Sequence, residues 1–218
     1  MKISPFSILI LCVSVLCGCK KIIQREVTLS PSNNPNEINV TELGGLDASD
    51  KTSIEEPLAA WTIGGVPVIN RNLLKFDLSG IPAQAVIIKA HLYLYSDTIP
   101  KNGDLVHANY GADNSFVIQQ VESPWDPAAA TWFNQPNGIV DNQIVVQSTD
   151  QPFKNLDVDV KQMVQSMVTG NQNYGFKLTL NSETIYTSRI FCSSYYSDAS
   201  GHPRLEIIYQ AGSAFFSH

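Results

Sequence analysis

Cysteine is scarce where it would matter. Of four in the chain, Cys12, Cys17 and Cys19 precede residue 20, and only Cys192 lies in the body. A lone thiol excludes an intramolecular disulfide, so the body must be held by its core. Cys192 ends the run Arg189-Ile190-Phe191-Cys192 and reads as a buried small hydrophobe. Basic residues are also few: 14 Lys and Arg stand against 20 Asp and Glu, a net charge of −6 without a basic cluster. That excludes the phosphate neutralisation on which nucleic-acid binding rests. It equally disfavours direct electrostatic attraction to anionic lipid.

Catalytic patterns are missing too. His91, His107, His202 and His218 show no zinc-site spacing, and there is no G-x-S-x-G elbow. Gly44-Gly45 and Gly64-Gly65 read as turns rather than phosphate loops, and Glu55-Glu56 stands beside Pro57 in what reads as a polar loop. Nothing nominates the facing carboxylates that glycoside hydrolysis requires. The compact Arg, Gln-His and Tyr-Lys signatures of jelly-roll polysaccharide lyases are also missing. The expectation is a protein that is not an enzyme and needs no cofactor, apart from a structural calcium for which Asp47 and Asp50 are weak candidates.

What is present begins with a leader. Lys2 precedes the apolar run Phe6–Leu16, which is too short to span a bilayer comfortably. Leu16-Cys17-Gly18-Cys19 follows and resembles the bacterial lipobox, in which the small Gly18 precedes the cut and Cys19 accepts lipid. Residues 1–18 are then a signal peptide. The mature chain is expected outside the cytoplasm, lipid-anchored to a bacterial membrane, with the outer membrane or cell surface the expected place. Membrane contact is expected through the lipid alone. Residues 19–36, ending in the polar Ser30–Asn36, read as a tether holding one apolar-alternating piece, Ile23–Leu29.

Residues 37–210 read as one domain of short strands, with 211–218 a loose tail. Val86–Tyr95 is the clearest strand, with Val86, Ile88, Ala90, Leu92 and Leu94 alternating against Ile87, Lys89, His91, Tyr93 and Tyr95. Further strands are expected at Leu73–Leu78, Phe116–Val121, Ile144–Gln147, Phe176–Leu180, Arg189–Ser193 and Arg204–Tyr209. Val160, Met163, Val164, Met167 and Val168 recur at helical spacing, with Asp159 and Gln162 placed as a capping box and Gly170 as the stop. Many strands, one helix and no βαβ alternation indicate an all-β antiparallel sandwich. Periodicity alone leaves jelly-roll and immunoglobulin-like arrangements both open.

Several stretches carry a resemblance. Asn70–Pro82 runs into Ala85–Tyr95; Ser123-Pro124-Trp125-Asp126 precedes Thr131–Pro136; Leu156–Asp159 and Gly170–Phe176 flank the helix. In this order they resemble the DNRLRE domain family, grouped with carbohydrate-binding module family 96, over roughly Leu46 to Tyr209. Asp159 and Pro127 depart from it, standing where the family usually has Thr and an acidic residue. The resemblance implies a jelly-roll sandwich that binds polysaccharide, including acidic ones, often alongside polysaccharide-degrading enzymes. The alternative is a structural or adhesive surface lipoprotein that binds protein.

Candidate ligand-binding residues come from the side chains themselves. Aromatic rings stack on sugar faces, while charged and amide groups fix carboxylates and hydroxyls. Trp125 and Trp132 read as packing between strands, which leaves Trp61 the better candidate for an exposed ring. Lys89, His91, Tyr93 and Tyr95 share one strand face, which suits a linear acidic glycan or is simply a half-exposed sheet surface. The tip Tyr195-Tyr196, with Arg189 and Arg204 on the flanking strands, is the third candidate; its alternative is a solvent-exposed turn.

Overall fold

The computed structural model describes residues 21–31 and 37–212. The leader, Cys19, residues 32–36 and the tail beyond Gly212 lie outside the described residues. The expected antiparallel β-sandwich is observed. Thirteen strands are described: β1 (Ile22–Leu29), β2 (Glu37–Leu43), β3 (Leu46–Asp47), β4 (Glu55–Ile63), β5 (Val66–Leu74), β6 (Val86–Leu94), β7 (Asn109–Tyr110), β8 (Phe116–Val121), β9 (Gly138–Val146), β10 (Leu156–Asp159), β11 (Phe176–Leu180), β12 (Thr187–Cys192) and β13 (Arg204–Gly212). One α-helix, α1 (Lys161–Gly170), accompanies them. A four-stranded sheet runs β1-β13-β6-β10; a nine-stranded sheet runs β7-β12-β4-β5-β11-β8-β9, with β2 and β3 added at β5.

Alternation explains the core. Leu205, Ile207 and Tyr209 of β13 and Ala90, Leu92 and Leu94 of β6 turn inward, and meet Phe116, Phe176, Leu178 and Phe191 from the larger sheet. Met163, Val164, Met167 and Val168 of α1 close one side. Burying each large apolar side chain is worth about 1.5–3 kcal/mol, which supplies the cohesion that no disulfide provides. Cys192 is buried too, next to Phe191 but outside this cluster, and burial, followed by the nearby Asp97, Glu55 and Asp198, pushes its thiol up to about 12.

Three expectations need correction. Ile22–Leu29, assigned to a tether, is a full sheet strand whose eight residues pair with β13 from Ile22↔Gly212 to Leu29↔Leu205. In β6 the simple alternation fails: the register slips opposite Ile208/Tyr209, so Ile87 is buried while Val86 and Ile88 face out. An inserted residue changes which side chains point inward, a phase change that period-two counting does not register. The capping box is also not formed. Val160 occupies the cap without a side-chain bond, Asp159 Oδ1 accepts from Lys161 N at 2.9 Å, and Asn171 rather than Gly170 takes the left-handed stop, at φ 50°.

The architecture turns on β5. One edge carries β2 along Val68–Leu74. The other carries β4 at Val66–Asn70 and then β11 at Asn72–Leu74. Where β4 departs, the carbonyl of Pro57 loses its place in a ladder with β5. Asn39 Nδ2 donates to Pro57 O at 3.1 Å and to Asn72 Oδ1 at 2.6 Å. Asn39 Oδ1 accepts from Thr41 Oγ1 at 2.6 Å and Asn70 Nδ2 at 2.9 Å. Asn39→Ala strands these partners in the interior and is expected to destabilise the domain by about 2–4 kcal/mol, read from urea unfolding. A loss below the scatter of surface substitutions would show that the junction holds without it.

Candidate functional site

The outer face of the four-stranded sheet gathers five of the candidate residues. Lys89, His91, Tyr93 and Tyr95 project from β6 and the turn after it. Arg204 pairs with Tyr93 from β13, its Cζ 4.7 Å from the Tyr93 ring centre and 5.9 Å from that of Tyr95. The face is not uniformly basic, however. Arg204 Nε lies 3.1 Å from Glu206 Oε1, His91 Nδ1 contacts Asp157 Oδ1, and Asp159 is registered with His91. Neighbouring strands thus bring in acids that a reading of one strand does not see.

Trp61 stands on the larger sheet, registered with Val68 in the β4–β5 hairpin. Tyr110 meets its indole edge-on at 5.5 Å and 74°, and Tyr186 at 5.1 Å and 85°. The two tyrosines remain 43% and 54% exposed, so the ring group faces solvent. Backbone strain helps to set it: Tyr186 holds a left-handed φ of 68°, which bulky side chains rarely adopt. Gly111, at φ 98°, lets the segment after Tyr110 lie against β12, because a Cβ there would meet Tyr186 O at 2.9 Å.

Trp61 lines an open groove of about 460 Å³. Asn39, Thr41 and Asn70 contribute amide and hydroxyl groups to its lining; Lys101 and Asn102 come from the segment before β7. The only charged side chains in the lining are Asp50 and Lys101. Tyr110, Tyr186 and the amides were not found by sequence reading. Their only signal was Asn39, Asn70 and Asn72 in otherwise apolar strands, which β-propensity disfavours.

The other candidates separate. Tyr195 is 41% exposed on the segment between β12 and β13, and Tyr196 is half-buried, its carbonyl meeting His202 Nε2 at 2.8 Å. Arg189 is fully buried, correcting its placement as a ligand contact. Its guanidinium lies 5.3 Å from the Phe116 ring centre and 5.8 Å from that of Phe191, and Nη1 donates to Asn114 Oδ1 and Gln147 O at 3.3 Å. Burial draws its pKa down to about 10, so it stays charged at neutral pH. Asp47 Oδ1 accepts from Ser49, and Asp50 Oδ1 from Thr52, in local turns. Among the described residues no three His, Cys, Asp or Glu side chains gather as a metal site.

Glu55 and Glu56 are buried at the start of β4, not in a polar loop. Neither lines the groove, and nor do Glu37 and Asp97, the other buried acids. The groove therefore holds no facing pair of carboxylates.

The chain matches the model of carbohydrate-binding module family 96 over residues 67–209. It belongs to that family. The match supports carbohydrate binding in general, and it spans β5 to β13, leaving β1 to β4 outside. Trp61, on β4, is thus an addition to the family-matched segment rather than part of it. No curated protein matches the chain.

Two predictions follow from the buried charges. Arg189→Met should leave stability unchanged or raise it by about 1–4 kcal/mol, whereas Arg189→Ala should lower it, because the methionine fills the space between the rings without a buried charge. Equal losses in chemical unfolding would contradict this. Burial raises the pKa of Glu37, Glu55 and Glu56, most strongly Glu56. The folded state therefore holds protons that the unfolded chain has released. The stability they contribute is full below the ordinary glutamate value and is lost as pH rises through the folded values. Glu56→Gln should raise Tm more at pH 8 than at pH 5, at roughly 2–4 °C per kcal/mol; an equal change at both pH values would refute the assignment.

Proposed function

We propose that this is a non-catalytic polysaccharide-binding lipoprotein. It is anchored by lipid on Cys19, displayed outside the cytoplasm, and engages glycan in the Trp61 groove. The observation that carries the reading is the indole held edge-on by Tyr110 and Tyr186, on the wall of a groove whose lining is rich in amides and hydroxyls. An apolar ring face beside hydrogen-bonding groups matches a pyranose, which has C–H faces and a hydroxyl rim. Lys101 supplies one cation for a uronic carboxylate at one part of the lining, with Asp50 the one opposing charge. Family membership supports the ligand class, and the lipobox-like Leu16–Cys19 supports the anchor.

The outer sheet face around Arg204 and Tyr93 is the second surface for an acidic chain. Arg204 and His91 there are already engaged by Glu206 and Asp157, which favours the groove.

Electrophoresis of the leader-free chain through gels containing alginate, pectin and neutral polysaccharides tests the proposal. Retardation is expected with at least one polymer, and Trp61→Ala should weaken it about tenfold or more, the 1.4 kcal/mol or so expected for loss of a stacking ring. Unchanged retardation in Trp61→Ala would move the site elsewhere. No retardation across the panel would leave the protein-adhesive reading, for which exposed Leu46, Ile63, Val66 and Leu105 are available.

A further inference from the structure

The first strand leaves almost no slack between Cys19 and the sheet. Ile22 is already registered with Gly212, and Cys19 stands three positions before it. A chain advances at most 3.3–3.6 Å per residue, so the sulfur-bearing residue lies within about 10 Å of the sheet's end. The same end of the outer face carries exposed aliphatic side chains beside a Gln24–Gln210 pair. Ile22 is 68% exposed, Val86 57% and Ile88 41%. Ile208 is half-buried nearby, and Lys21 and Lys89 flank the group, with Glu26 across from Ile208. The bulge in β6 creates the patch: without the slip, Val86 and Ile88 would share the inward phase of Ala90 and Leu92.

From this we infer that the Ile22–Val86–Ile88 end of the four-stranded sheet rests on the lipid surface. The domain then stands on the membrane directly, with no free spacer. The inference rests on lipidation of Cys19. It commits to bilayer lipid as the occupant because the anchored residue is too close for that end to stand clear of the headgroups. Exposed aliphatic side chains flanked by lysine suit the apolar-polar boundary of a bilayer. The opposite end of the same face carries Tyr93, Tyr95 and Arg204. It lies about 25 Å further along the strands, counted from Gly212 to Arg204.

The test uses the chain exported with its own leader by a bacterial host and reconstituted in vesicles. A spin label is placed at Ile88→Cys, or in a second variant at Val86→Cys. A control label is placed at Thr28→Cys, exposed on the same face but near its far end. Cys192 is buried and remains unlabelled. Mass spectrometry first reads diacylglycerol on Cys19; relaxation of each label by a nickel-chelating lipid then reads its distance from the headgroups. Several-fold stronger relaxation at residues 88 and 86 than at 28 supports the inference. Equal or reversed relaxation in a chain that does carry diacylglycerol overturns it and leaves the anchor standing. A chain recovered without diacylglycerol on Cys19 overturns both.

Discussion

The side-chain amide of Asn39 does work that a backbone ladder leaves undone. β5 shares one edge between two successive partners, and the handover exposes main-chain carbonyls inside the protein. An unmade hydrogen bond there costs about 1–3 kcal/mol, comparable with burying a large aliphatic side chain. Asn39 spans the gap, and Thr41, Asn70 and Asn72 complete its hydrogen bonds. The groove is a by-product of the same geometry. A strand that departs from its neighbour leaves an opening, and the amides that repair the break line it.

That origin explains why the groove is polar beneath and aromatic at the side. Pro57, Ala59 and Trp61 share one face of β4, and the face loses its cover beyond Ala59. The ring group is rigid because its members are fixed separately: Trp61 by the hairpin, Tyr110 by the short pairing of β7 with β12, and Tyr186 by its left-handed backbone. A pre-set platform has less side-chain entropy to lose when a ligand arrives. The tryptophans inside the family-matched segment serve the interior instead. Trp125 and Trp132 pack beside Ile38, Val40 and Leu73; Trp125 Nε1 donates to Tyr174 O at 2.6 Å, and Trp132 lies under Arg71 at 4.2 Å.

Much of the fold was legible because alternation reports burial directly. Phe116–Val121 and Phe176–Leu180 were bounded correctly, and Arg204–Tyr209 was placed within the last strand. The readings that failed depended on partners distant in sequence. Ile22–Leu29 resembled a tether because its pairing strand is the last of the chain. Arg189 resembled a surface cation because nothing nearby announces Phe116 above it. Glu55 and Glu56 looked solvated beside Pro57, yet Lys101 N and Asn102 Nδ2 reach Glu55 across more than forty positions. Lys89, His91, Tyr93 and Tyr95 did share a face, but their acidic neighbours arrive from β10 and β13. Within the Trp61 site, one aromatic was identified and the other two were not, because their convergence is tertiary.

The pairing of β1 with β13 also sets how the domain carries tension. A pull on the chain ahead of Ile22, resisted at the opposite end of the sheet, acts along the strand axis. The rungs from Ile22↔Gly212 to Leu29↔Leu205 lie across that axis and share the load in parallel. Detaching β1 then requires the ladder to slip as a unit, whereas a sideways pull would open it one rung at a time.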